Sequence, residues 1–353
     1  MKLWLFLRIL ALSVCALVGQ TIIAGTQQST PVPGSPVEKW LGSGHGDAQS
    51  PAFTYWNAEA AIPPVCAACH SGAGSRDFMG FDGSARGEVS QPVAPGGVID
   101  CETCHHDGVA AIDSVRFPSG VEIARPGASV TCMTCHQGRQ SGSGIARATA
   151  GMEDDVVNAE LTFMNPHHAL AAATLLGSEV KGAYEYPDKA YGGRFAHVPQ
   201  FAQCSDCHDP HSLQVAVQAC AGCHQTEDLR AIRTSAVDFD GDGDVKTGIQ
   251  LEIANLSAEL MALIESYAAE VSKTPLTYAD RFPYFFTAGG EPTPANQYKA
   301  WTPRLLRAAY NFQFVAKDKG AYAHNSRYAV QVLYDSMESL AEPMGRTISA
   351  TRP

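Results

Sequence analysis

The sequence predicts a mainly irregular and α-helical fold in two parts: a core of loops and short helical turns packed around bound groups, then a helical C-terminal subdomain. Three observations lead there. One five-residue phrase, C-x-x-C-H, occurs five times between Cys66 and His224 and not again. The 353 residues include 32 glycines and 21 prolines but only 17% charged residues, which suits loops wrapped closely on something apolar rather than long regular elements. After Gln225 cysteine disappears, and apolar residues recur at helical spacing at Leu256, Leu260, Leu263 and Ile264.

The five phrases are Cys66-Ala-Ala-Cys69-His70, Cys101-Glu-Thr-Cys104-His105, Cys132-Met-Thr-Cys135-His136, Cys204-Ser-Asp-Cys207-His208 and Cys220-Ala-Gly-Cys223-His224. Two thiols three residues apart share one face of a short helical turn, so both reach the two vinyl groups of one porphyrin. The histidine that follows coordinates the iron from the same side, as proximal axial ligand. Ten of the eleven cysteines sit in such pairs. Zinc sites and thioredoxin-like motifs also contain C-x-x-C, but neither needs a histidine after every pair, and a disulfide framework does not either. The phrases therefore predict five covalently attached haems c. Porphyrins would then provide much of the apolar core of residues 43–235, making this a haem-packed multihaem core.

The chain opens with Lys2 and Arg8 around an apolar run, Ile9 to Val18, then Ile22-Ile23-Ala24-Gly25. This predicts a secretory signal peptide over residues 1–24, cleaved near Ala24. The eleventh cysteine, Cys15, lies inside it, and Val14 before it does not suit a lipoprotein site. Arg8 leaves the apolar run short for a membrane span of about 20 residues. The body of the protein is expected to be exported, to the periplasm or the cell exterior, with no membrane span after cleavage. The formal charge of −11 becomes −13 without Lys2 and Arg8. An acidic surface speaks against nucleic acid as partner and favours steering towards basic ones.

Residues 25–42, with Pro31, Pro33 and Pro36, read as a flexible leader. A helix is expected around Asp154 to Leu176, interrupted by Asn165-Pro166-His167-His168. Three more are expected in the C-terminal subdomain, residues 236–353: Leu251 to Val271, Pro303 to Ala316 with proline favourable at its start, and Ser326 to Leu340.

Five proximal histidines leave seven: His45, His106, His167, His168, His197, His211 and His324. Such a surplus beside haems predicts bis-histidine, six-coordinate, low-spin iron. His211 is the strongest candidate, because Asp209 before Pro210 is biased away from helix and should turn His211 towards a neighbouring haem. His106 adjoins His105 and could serve a second haem. His167 and His168 are alternatives for one position. Met133, Met164 or Met337 could replace histidine and raise a potential, but the surplus makes that unnecessary.

Several phrases together carry a resemblance: Ser43-Gly-His45, Cys132-Met-Thr-Cys135-His136-Gln-Gly-Arg139-Gln-Ser141, Asn165-Pro-His167, Gly182-Ala-Tyr-Glu-Tyr186, Cys204-x-x-Cys207-His208-Asp-Pro-His211 and Ala323-His324-Asn325. The chain resembles, over nearly its whole mature length, a widespread group of secreted bacterial multihaem c-type cytochromes. The resemblance implies electron transfer outside the cytoplasm, often onto external acceptors. It also implies distal iron ligands at His45, His167, His197, His211 and His324, with His106 and His168 in reserve. The placement of His324 is similar to a distal ligand of cytochrome c nitrite reductases.

Asp238, Asp240, Asp242 and Gly243 fall at positions 1, 3, 5 and 6 of an EF-hand-like loop, with Asp244 offering a backbone carbonyl at position 7. Ile249 stands where the bidentate glutamate would be, and Glu252 could substitute. A structural calcium ion is expected there. The functional expectation is an electron carrier with redox proteins or an external acceptor as partners. The alternatives are a pentahaem reductase of nitrite or hydroxylamine, which needs one iron with an exchangeable position, and a haem filament in which a homo-oligomeric neighbour completes a haem.

Overall fold

The computed structural model describes residues 34–353; the expected signal peptide and the start of the leader lie outside the described residues. The leader's end is helical. In α1 (Pro36–Leu41) the Ser35 hydroxyl accepts from the Glu38 amide and the Glu38 carboxylate accepts from the Ser35 amide, with Pro36 at the first helical position. Short helices follow: α2 (Pro51–Thr54), α3 (Pro64–His70), α4 (Gly72–Phe78), α5 (Cys101–His105), α6 (Val130–Cys135), α7 (Gly142–Ala148), α8 (Ala171–Leu176), α9 (Cys204–Cys207) and α10 (Val217–His224). Between α5 and α6 a small antiparallel hairpin, β1 (Ser114–Arg116) and β2 (Glu122–Ala124), pairs Val115 with Ile123 and buries both.

The helix expected over 154–176 is largely absent: only α8 forms. The cause is local. The Asn165 side chain accepts from the His167 amide at 3.0 Å, closing a turn on itself, and His167 and Ala169 take φ values of 77° and 58°. A helix cannot pass through left-handed residues, so the chain turns where the sequence only suggested an interruption.

The C-terminal part is conventional by comparison. Helix α11 (Ile249–Glu270) buries Leu256, Leu260, Ile264 and Tyr267 along one stripe. A hairpin, β3 (Leu276–Tyr278) with β4 (Phe285–Thr287), leads to α12 (Pro303–Lys317). Thr302 caps α12 by accepting from the Leu305 amide at 3.1 Å, directly before Pro303. Helix α13 (Ala321–Ala341) is two segments, because Asn325 leaves helical geometry at φ −168° and ψ 78°. The Asn325 side chain accepts from the Tyr328 amide at 3.1 Å and so caps the second segment, which begins at Ser326 as expected. Helices α11, α12 and α13 pack on one another, and α13 also packs on α8.

Polar clamps fasten this layer to the irregular part. Asn311 bonds the Tyr184 amide at 2.8 Å and its carbonyl at 2.9 Å, and Tyr310 donates to the Gly182 carbonyl at 2.8 Å. The fully buried Asp335 carboxylate joins Lys189 at 2.8 Å and Arg352 at 2.9 Å. Gly142, at the start of α7, passes so close to this loop that a Cβ would lie 1.8 Å from the Ala183 carbonyl oxygen. The apolar cluster is continuous across both parts, from Val115 and Leu176 to Leu256 and Leu333.

Leu256 is fully buried on α11. Leu256→Ala should therefore lower the free energy of unfolding by about 2–5 kcal/mol, measured by denaturant titration followed by circular dichroism.

Candidate haem-ligand array

Each C-x-x-C-H phrase lies on a short helical turn: in α3, α5 and α10 the histidine is the last helical residue, and in α6 and α9 it follows the helix directly. Both thiols of a pair are thereby held one turn apart on one face. The ten cysteines of these phrases form no disulfide. The phrases are also packed against each other. The Cys135 thiol lies 3.5 Å from the Ala68 carbonyl, and Ser129, just before α6, accepts from the Cys204 amide at 3.0 Å.

Every proximal histidine faces a second imidazole. The ring centroids are 5.9 Å apart for His70 and His167, 6.0 Å for His105 and His211, and 6.2 Å for His136 and His45. They are 6.4 Å apart for His208 and His324, and 5.9 Å for His224 and His197. These separations test whether the residues fit iron. With a metal–nitrogen bond of about 2.0–2.1 Å, and roughly 1.2 Å more to the ring centre, two imidazoles across one metal have centroids roughly 6.5 Å apart. All five gaps lie at or slightly below that separation, and none is short enough for direct ring stacking.

The second imidazoles come from local turns and one short helical segment. His45 follows α1 in a turn closed by Ser43 on the Trp40 carbonyl at 2.8 Å, and its own carbonyl accepts from the Ile99 amide at 3.2 Å. His167 stands on the Asn165 turn. His211 stands on a turn in which one Asp209 oxygen accepts from the His211 and Ser212 amides at 3.0 and 2.8 Å. The Lys39 ammonium on the other Asp209 oxygen, at 2.9 Å, and the Ser212 amide hold that carboxyl well below the usual carboxylate range. His197 lies between Phe195 and Phe201. His324 sits in the first segment of α13, its Nδ1 against the Asp318 carboxylate.

Burial keeps most of these rings in the neutral form that binds metals. It lowers His45, His70, His197 and His208, and it pushes His136 and His167 down to about 4. His324 departs from this pattern. Burial opposes its protonation, but the Asp318 carboxylate outweighs burial and raises it.

The reserve histidines are engaged elsewhere. His106 stacks on Phe81 at 4.3 Å, and its Nδ1 accepts from the Gly108 amide at 3.0 Å. His168 lies edge-on to His167 and 3.4 Å from the Tyr284 hydroxyl. Met133 and Met337 are core residues, and Met164 packs beside Ile145, Tyr184 and Tyr310.

The acidic loop is only partly assembled as an ion site. Asp238, Asp240 and Glu252 bring carboxylate oxygens within 4.8 Å of one another, while Asp242 and Asp244 are outside this group. Those two instead accept from the Asp244 amide at 2.7 Å and the Lys246 amide at 2.6 Å. The buried Glu252 also pairs with Arg233 and accepts from the Phe239 amide at 2.8 Å. Neither Arg233, which pairs with Glu252, nor Asp318, which pairs with His324, has a sequence signal, since a lone charged residue at an arbitrary distance from its partner carries no recognisable spacing.

Among the described residues, no helix is long and apolar enough to cross a membrane. No protein-family model and no solved structure matches the chain. Curated relatives do. The chain is 24% identical over 210 residues to the C-type polyheme cytochrome OmcC of Geobacter sulfurreducens, an alignment covering 49% of this chain and 26% of that relative. The C-type polyheme cytochrome OmcB of the same species matches with the same identity and coverage. The chain thus spans about a quarter of the length of these curated relatives, and its similarity is to polyheme cytochromes of the c type.

Proposed function

We propose that this protein is an exported multihaem c-type cytochrome that relays electrons through five bis-histidine haems. The observation that carries the reading is the set of five imidazole pairs, each with one histidine from a C-x-x-C-H phrase and each with the gap one iron requires. The similarity to polyheme cytochromes supports it. Bound haem would supply one-electron exchange between ferric and ferrous iron.

The chain's own residues would do the rest. The ten thiols, in place of which an attached porphyrin would have thioether sulfurs, fix each group to its turn. His70, His105, His136, His208 and His224 would hold the iron from the attachment phrases, and His167, His211, His45, His324 and His197 would be the second ligands. Closure by a second imidazole leaves no exchangeable position for a substrate, which favours the relay over a nitrite or hydroxylamine reductase. Every pair forms within one chain, so the reading requires no ligand from a neighbouring subunit. The partners are a redox protein or an external acceptor.

We also retain a structural calcium ion, held by Asp238, Asp240 and Glu252 with backbone carbonyls and water completing the shell. It would tie the start of α11 to the preceding loop.

Intact-protein mass spectrometry of the mature chain from a maturation-competent host should show five haems, and the oxidised protein should be wholly low-spin by electron paramagnetic resonance. The ring planes of His105 and His211 are 8° apart, whereas those of His197 and His224 are 86° apart. Parallel planes separate the iron orbitals that perpendicular planes leave nearly equal, so the first pair should give an ordinary rhombic signal and the second a strongly anisotropic one. A stable product with fewer haems, or nitrite turnover with a high-spin signal, overturns the relay.

His324→Ala should convert one haem to a high-spin form and leave the other four low-spin, while His324→Met should keep six ligands and raise one midpoint potential. An unchanged low-spin spectrum in folded His324→Ala would remove it as a ligand.

Calcium at a hundred times its dissociation constant should stabilise the holoprotein by about 2.7 kcal/mol, read as a higher thermal midpoint. Asp238→Asn with Asp240→Asn should abolish that response without changing the haem count.

A further inference from the structure

The corner between α12 and α13 places a buried carboxylate directly behind one of the paired rings. Both oxygens of Asp318 lie 2.9 Å from His324 Nδ1, on the side of the ring opposite the nitrogen left for iron. The Asp318 side chain is only 4% exposed. One of its oxygens also accepts from the Gly320 amide at 3.1 Å, and its own amide bonds the Val315 carbonyl at 3.2 Å, so the end of α12 fixes the carboxylate in place. The ring is confined on its other flank by Gly320. A Cβ there would lie 2.6 Å from His324 Cε1 and 3.0 Å from Nδ1. The segment is therefore shaped to press one imidazole against one carboxylate.

No comparable carboxylate contact is found on the other paired rings among the described residues. His70 Nδ1 meets a neutral partner, the Ala52 carbonyl, at 2.7 Å. A carboxylate differs from a carbonyl in two ways. It draws the Nδ1 proton more strongly and so makes Nε2 a stronger donor, and its full charge in a poorly solvated site favours the more positive oxidation state of the metal.

We propose that Asp318 is a positioning residue that, through His324, lowers the reduction potential of the haem held between His208 and His324. This rests on the reading that His324 ligates iron. The step affected is one-electron reduction of ferric to ferrous iron, the electron coming from the redox partner of the relay, with no bond formed or broken. One haem in the array is thereby held as a low-potential station by a residue that touches neither porphyrin thioether nor iron.

The test uses the full holoprotein and its individual midpoint potentials. Asp318→Asn keeps the shape and a hydrogen-bond acceptor but removes the charge. It should raise one potential by roughly tenfold in the ferrous-to-ferric ratio, about 59 mV for one electron, with the other potentials fixed and every haem still low-spin. The same haem should be the one that turns high-spin in His324→Ala. If His324→Ala gives its high-spin haem but Asp318→Asn shifts no potential, the tuning role is wrong and the ligand role stands. If His324→Ala stays low-spin, the ligand reading itself has failed. Should Asp318→Asn not accumulate, Asp318→Ser is read in the same way. Wild-type protein decides if neither folds. At least one low-spin ferric signal must then show the compressed g-value spread of an imidazole with anionic character, and absence of such a signal overturns the proposal.

Discussion

In the proposed reading, a histidine tied to two cysteines by its position in the chain would reach a metal from one side only, and the opposite side would be met by an imidazole from elsewhere. That requirement is a gap of about 6 Å between rings, held while the intervening chain wanders through loops. Small hydrogen-bonded devices do the holding: the Ser43 turn, the Asn165 turn, the Asp209 turn, and the corner between α12 and α13. Each fixes a ring through its backbone and spends few residues. A sheet or long helix could not serve five such points in so short a stretch, since neighbouring side chains on regular elements diverge at set angles.

The helical layer answers a different need. Loops and single turns bury too little apolar surface to offset the entropy of ordering them. Helices α11, α12 and α13 bury large side chains against one another and against Leu170, Leu176 and Val180 of the irregular part. Polar clamps at Asn311, Tyr310 and Asp335 then set the register between the two. His324 belongs to this layer, so one ring pair spans the seam between the two parts of the molecule.

What could be read from the sequence was whatever a short local pattern determines. The five phrases announce paired thiols with an adjacent histidine by spacing alone, and α11 and α12 announce themselves by periodicity and by Thr302-Pro303. Which imidazole faces which proximal ring has no local signature, because partners such as His105 and His211 meet only through tertiary packing. Within the expected helix over 154–176, two left-handed residues that no propensity would have put at His167 and Ala169 confine the helical part to α8 on their C-terminal side. In the aspartate loop, Asp238 and Asp240 lie beside Glu252, the residue expected to replace the missing glutamate, from the first turn of α11, whereas the Asp242 and Asp244 side chains accept from their own loop's amides.

The pairing of rings also carries a timetable. A chain that emerges from its N-terminus presents His70 and His105 before anything that could face them. The earliest pair that can close is His45 with His136, when the third phrase arrives. His70 waits for His167 and His105 for His211, so two early attachment sites remain one-sided while most of the irregular part is still being delivered. His208 waits longest, for a residue beyond α12. A chain cut short before Asp318 would retain all five phrases and the residues of four ring pairs, but would lose α13 with its Asp335 clamp together with the ring that faces His208.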